Sequence, residues 1–150
     1  MTTTTTSAAS TAFRGVPSPS EMHRAFIEAC NAGDAGRLVQ LYEPSAVIVE
    51  RTGELSQGTD AIREHIARLL VMRPTMRILG SLAVVSDDLA QLSSWWQCSA
   101  TAPDGSAMEI EGHGSELTRR QPDGSWLIVV DNPWGADAGG SIPPAKEGAA

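Results

Sequence analysis

The apolar run Val47-Ile48-Val49 ends directly in Glu50, which sets a carboxylate at the tip of what otherwise reads as a buried strand. An unpartnered carboxylate is costly to bury, so either the strand has reached water there or the acid faces a cavity. In a dry hollow its charged form is disfavoured, its basicity rises, and it can move a proton next to a carbonyl. The alternative is an acid at a strand end, exposed or paired with Arg51 or Arg63. His113 is the second candidate for acid–base work. It stands between Gly112 and Gly114, and glycines within a strand often mark a bulge that re-aims neighbouring side chains. Aimed inward, its imidazole could act as acid or base near neutral pH; aimed outward, it is ordinary surface. Asp131 alternates away from Asn132 and ranks below Glu50 as a base. His23 and His65 have no ligand-type partner at i, i+4, so no metal site is expected. Glycine-rich phosphate loops and G-x-S-x-G elbows are absent, and no cofactor is expected.

The elements that must position these residues follow from periodicity. Met22, Ala25, Phe26, Ala29 and Cys30 recur at helical spacing after Pro19-Ser20-Glu21, and Asn31-Ala32-Gly33 ends that helix. Asp34 is placed to cap a second, shorter helix through Leu38, Leu41 and Tyr42, stopped by Pro44. A strand over 46–50 and a tight turn at Thr52-Gly53 precede a third helix, capped by Thr59 or Asp60, with Ile62, Ile66, Leu69 and Leu70 on one stripe. Four long strands follow, over 76–85, 89–101, 107–119 and 126–132, separated by Asp/Pro/Gly turn chemistry. Three helices followed by an antiparallel meander predict an α+β fold with the helices on one face of a curved sheet. Alternation puts Ala90, Leu92, Ser94, Trp96 and Cys98 on the interior face of their strand and Gln91, Ser93, Trp95 and Gln97 on the outer face. Trp96 is then a core filler or a pocket wall whose indole N–H needs a partner.

With 150 residues, 41% hydrophobic and 19% charged, the chain suits one domain over about residues 19–135. The segments 1–18 and 136–150 have little to bury and read as disordered tails. A net charge of −7, with 18 acids against 11 basic residues, argues against a nucleic-acid or anionic-membrane partner. The N-terminal Thr-rich segment has neither the basic region nor the apolar run of a signal peptide, so a cytoplasmic location is the expectation. Cys30 and Cys98 form no C-x-x-C pair and read as buried thiols more than as a disulfide.

Four segments carry a family resemblance: NAGDAGRLVQLY (31–42), AVIVERTG (46–53), GTDAIREHI (58–66) and RRQPDGSWLIVVDNPWG (119–135). In order and spacing they resemble the nuclear transport factor 2-like superfamily, in its SnoaL-like and ketosteroid isomerase-like branches and close to small actinobacterial-type members. The resemblance implies a cystatin-like α+β cone, and it sets Glu50 where ketosteroid isomerases carry their general base. It also sets Phe26 at their oxyanion-hole tyrosine, and one of Ser115, Glu116 or Leu117 at their aspartic acid. Loss of one oxyanion donor costs on the order of a hundredfold in rate or more, which disfavours a true ketosteroid isomerase. The resemblance further implies a small apolar substrate bound by Phe26, Tyr42, Ser94, Trp96, Asn132 and Trp134, and a homodimer formed through the outer sheet face that carries Trp95. Asn132 has a second possible role, capping the turn before Pro133. The expected activity is isomerisation or cyclisation by carboxylate-mediated proton transfer on a ring-containing compound, as in natural-product biosynthesis. The alternative is a non-catalytic binding or dimerisation protein that uses the same cavity, since one cone serves many functions.

Overall fold

Helical and strand periodicities resolve into three helices and six strands in the computed structural model, which describes residues 14–137. After a 3₁₀ turn at Pro19–Glu21 come α1 (Met22–Asn31), α2 (Ala35–Val39), β1 (Tyr42–Val49), β2 (Leu55–Gln57), α3 (Thr59–Val71), β3 (Thr75–Ser86), β4 (Leu89–Thr101), β5 (Ala107–Arg120) and β6 (Trp126–Asn132), then a 3₁₀ turn at Gly135–Asp137. The strands form one sheet in the order β2-β1-β6-β5-β4-β3, antiparallel except for the β1–β6 pair. The expected α+β architecture is therefore present, with the helices packed against the sheet.

Three boundaries differ from expectation. The second helix stops at Val39, because Tyr42 pairs with Ile128 and already belongs to β1. Pro44 sits within that strand at an exposed position, where the lost N–H costs little. The turn after Glu50 returns as the short strand β2, a hairpin on β1 that three residues of mixed character do not announce. Gly58, at φ 86°, takes the N-cap of α3 in place of Thr59 or Asp60, and no side chain caps that helix. For α2 the expected cap is real: Asp34 Oδ1 accepts from the Arg37 backbone N–H at 2.9 Å. Asp34→Ala should cost about 1 kcal/mol of stability, read as a lowered urea midpoint at unchanged slope.

Of the expected tails, 1–13 and 138–150 lie outside the described residues. Residues 14–18 are part of the domain: Val16 is 1% exposed and bridges to Trp126 across the sheet. The main core joins Met22, Ala29 and Cys30 of α1, Ile62 and Ile66 of α3, and Ala46, Ile48, Ala90, Leu92 and Ile128 of the sheet. A smaller cluster of Trp96, Cys98 and Ala100, with Met72, Met76, Ile78, Ile110 and Trp134 against it, forms the wall of a cavity. Among the described residues no helix is long and apolar enough to cross a membrane.

Candidate functional site

A cavity of about 300 Å³ lies between the helices and the concave face of the sheet. Its lining is mostly apolar, and its charged residues fall into two groups, Glu50 with Arg51, His65 and Arg68, and His23 with Glu116 and Asp131.

Glu50 shares the inward face of Ala46 and Ile48, one residue beyond the last strand position, and so reaches the cavity as the acid after Val49 suggests. It does not stand alone there. Its Oε1 accepts from Ser56 Oγ at 2.6 Å and Arg68 at 3.1 Å and meets His65 Nδ1 at 2.8 Å. Arg63, one of the expected partners, lies 3.7 Å from Asp60 instead. Burial alone would raise the pKa of Glu50, but the Ser56 and His65 hydrogen bonds and the electrostatic pull of His65 and Arg68 outweigh it and hold the carboxyl below its ordinary value. The expected gain in basicity is thus reversed at this residue.

The deeper group is built around Asp131. Glu116 on β5 and Asp131 on β6 are direct cross-strand partners, both 8% exposed and both lining the cavity. His23 of α1 meets Glu116 Oε2 at 2.9 Å, and the Tyr42 hydroxyl donates to Asp131 Oδ2. Burial, and then the neighbouring Glu116 charge, push Asp131 up to about 6, against the smaller opposing pull of Tyr42, His65 and His23. Burial, then the Asp131 charge, raise Tyr42 well above its ordinary range, so it stays a hydroxyl donor.

Strict alternation sends Asp131 outward, and the structure shows why it faces in. Thr118 pairs with Ile128 and Leu117 with Val130, so Val129 is an extra residue on β6. This bulge reverses the facing of everything after it. Asn132 consequently does not line the cavity; its amide donates to Gly135 O at 3.0 Å and its Oδ1 accepts from the Trp134 N–H at 3.3 Å, the turn-capping role. Tyr42 is not in the lining either, being engaged behind Asp131. Phe26, Ser94, Trp96 and Trp134 do line it.

His113 is a further correction. It is exposed on the outer face and stacks on Trp95 with ring centroids 5.8 Å apart. The flanking glycines make no bulge, since β4 and β5 pair without interruption from Leu89 to Thr101. They make room. A Cβ on Gly112 would lie 2.6 Å from the Trp96 ring, and one on Gly114 would lie 2.3 Å from a Glu116 oxygen. The Trp96 N–H is already satisfied, donating to Pro133 O at 2.8 Å, and its ring meets Trp134 edge-on at 5.3 Å.

Two of the deeper residues were open to the same reasoning that found Glu50. Ile128-Val129-Val130-Asp131 repeats the pattern of Val47-Ile48-Val49-Glu50, and Glu116 is one of three neighbouring residues that the family resemblance sets at the aspartic-acid position. His23 carries no local signal, because its partner is 93 residues away.

With this geometry in view, residues 23–127 match the SnoaL-like domain family, and the chain belongs to that family. It shares the cystatin-like cone of nuclear transport factor 2-like proteins. A Salmonella enterica serovar Typhimurium protein of that superfamily is 18% identical, with TM-score 0.66 over 85% of this chain and 89% of that one. A Shewanella frigidimarina protein named as a ketosteroid isomerase is 16% identical, with TM-score 0.64 over 73% of this chain and 89% of that one. A Xanthomonas campestris protein named as a calcium/calmodulin-dependent protein kinase II association domain is 18% identical, with TM-score 0.68 over 85% and 86%. No curated protein matches the chain.

Proposed function

We propose that the protein is an isomerase or cyclase that moves a proton at a carbon next to a carbonyl of an apolar, ring-containing substrate, with Asp131 as the base. The observation that carries this reading is the buried Glu116–Asp131 pair facing an apolar cavity. Two carboxylates on one side of a sheet raise each other's cost of ionisation, and a base poised near working pH is what such a step needs. Tyr42 fixes one oxygen of Asp131, His23 holds Glu116, and Ser94 offers a hydroxyl to a developing oxyanion. Glu50, clamped by Arg68 and His65, is a fixed charge near the rim and acts in binding more than in proton transfer. The thiols of Cys30 and Cys98 are free and buried, which fits a cytoplasmic setting.

Tetralone, a bicyclic ketone with exchangeable protons next to its carbonyl, tests the chemistry. In deuterated buffer the wild-type protein should speed deuterium incorporation at that carbon well above buffer, with most of the effect kept in Glu50→Gln. Saturable binding of tetralone without any exchange would instead establish a non-catalytic ligand carrier.

A second reading, of association rather than catalysis, draws on the outer sheet face. Leu82, Val84 and Trp95 are 62%, 55% and 43% exposed on adjoining strands there, and such contiguous apolar surface favours an interface. The occupant we propose is a second copy of the chain, and both readings can hold at once. Trp95→Glu should convert a dimer to a monomer in sedimentation equilibrium, and an unchanged mass would remove this face from the assembly.

A further inference from the structure

The charges around the cavity are unevenly distributed, and the imbalance bears on the substrate. Glu116, which meets His23 at 2.9 Å, and Asp131 set two carboxyl groups in its depth, an excess of acid that disfavours an anionic group at that end. Toward solvent, Glu50 is paired with the Arg68 guanidinium at 3.1 Å and meets His65 Nδ1 at 2.8 Å, while Arg51 has no carboxylate partner among the described residues. Its guanidinium instead lies over Trp134, with Cζ 4.8 Å from the ring centroid. A guanidinium held by an aromatic face keeps its N–H edge available, and that fork matches the two oxygens of a carboxylate. Arg51 lines the cavity while remaining exposed, so an anion can reach it without being buried. Trp134 joins the two halves of the arrangement: one contact is to Arg51 and the other is to Trp96 in the cavity wall.

We infer that the substrate is an aromatic or fused-ring carboxylate, seated with its rings against Trp96 and Trp134 and its carboxylate on Arg51. The placement deepens the proton-transfer reading and rests on it only for the cavity as the ligand's seat. It also orients the substrate, since the anion at the rim sends the opposite end of the ring system toward Asp131.

Naphthoic acid and its uncharged primary amide, naphthamide, share one ring system and separate charge from shape. Titrated against the full-length protein by quenching of tryptophan fluorescence at low salt, the acid should bind at least tenfold more tightly than the amide. In Arg51→Gln that ratio should fall to about twofold or less through loss of acid affinity alone; in Arg63→Gln, which removes a guanidinium that sits by Asp60 and outside the cavity lining, it should persist. Equal affinities in wild type, or a preference kept in Arg51→Gln, would overturn the assignment while leaving the proton-transfer reading to the tetralone exchange. Failure of both probes to bind would overturn it together with the cavity as the seat of aromatic ligands.

Discussion

Asp131→Asn should abolish proton transfer and, in the same protein, raise stability at neutral pH. Loss of the base removes on the order of 10²–10⁴ in rate, while the amide keeps the shape and can still accept the Tyr42 hydrogen bond. The stability change follows from linkage. Asp131 has an ordinary pKa of 3.8 and is raised to about 6 in the fold, so the folded state holds its proton more tightly than the unfolded one. The resulting stabilisation is complete below the unfolded value and is lost as pH rises through the folded one. Above that range the wild type carries the full cost of an ionised buried acid, on the order of 2–3 kcal/mol, and the Asn variant does not. Denaturant unfolding of the two proteins should therefore agree near pH 4 and diverge by pH 7, the variant being the more stable. Glu50 has the opposite sign: its lowered pKa stabilises the fold above its ordinary value and is lost in acid. Wild-type stability should accordingly fall away on both sides of mildly acidic pH.

The second large effect is expected at a glycine packed against the cavity wall. In Gly112→Ala the new methyl would meet Trp96 Cζ2 at 2.6 Å and Cε2 at 2.8 Å, distances that a rigid indole cannot absorb without moving as a whole. Displacing it breaks the hydrogen bond to Pro133 O and the edge contact with Trp134, and pushes the ring into the cavity. Overpacking of this kind costs about 1–3 kcal/mol, and affinity for a bicyclic ligand should drop by at least tenfold. Gly80→Ala is the matched control, because nothing lies within 4 Å of a Cβ built there. It should change stability by no more than about 0.5 kcal/mol. Thermal unfolding and ligand titration of both variants read the two effects separately.

These two residues also show how far the sequence alone carries. The strand bounds of β4 and β6 and the inward set Ala90, Leu92, Ser94, Trp96 and Cys98 follow from turn chemistry and alternation, because both are local and β4 itself carries no extra residue: it pairs with β5 without interruption, and the register shift against β3 falls at Leu79 of β3. The inward turn of Asp131 depends on one extra residue at Val129, which leaves no trace in a run of similar apolar side chains. The Gly112–Gly114 pair reads in sequence as a bulge and serves in the fold as space, for a related reason. A glycine needed for a neighbour's volume looks the same in sequence as one needed for its own backbone freedom, and only the Trp96 ring opposite decides between them. Leu38, Leu41 and Tyr42 continue a helical stripe that strand pairing of Tyr42 with Ile128 overrides. Glu50 lines the cavity, but its chemistry is set by Ser56, His65 and Arg68, each brought to it by tertiary folding.

The central claim is that a carboxyl group of raised basicity faces the cavity, and carboxyl carbon NMR titration of the uniformly labelled protein reads this directly. One aspartate side-chain resonance should titrate with a midpoint near 6, vanish in Asp131→Asn and move to lower pH in Glu116→Gln as the neighbouring charge is removed. A protein whose aspartate carboxyls all titrate below pH 5, unchanged by Glu116→Gln, would contradict the account.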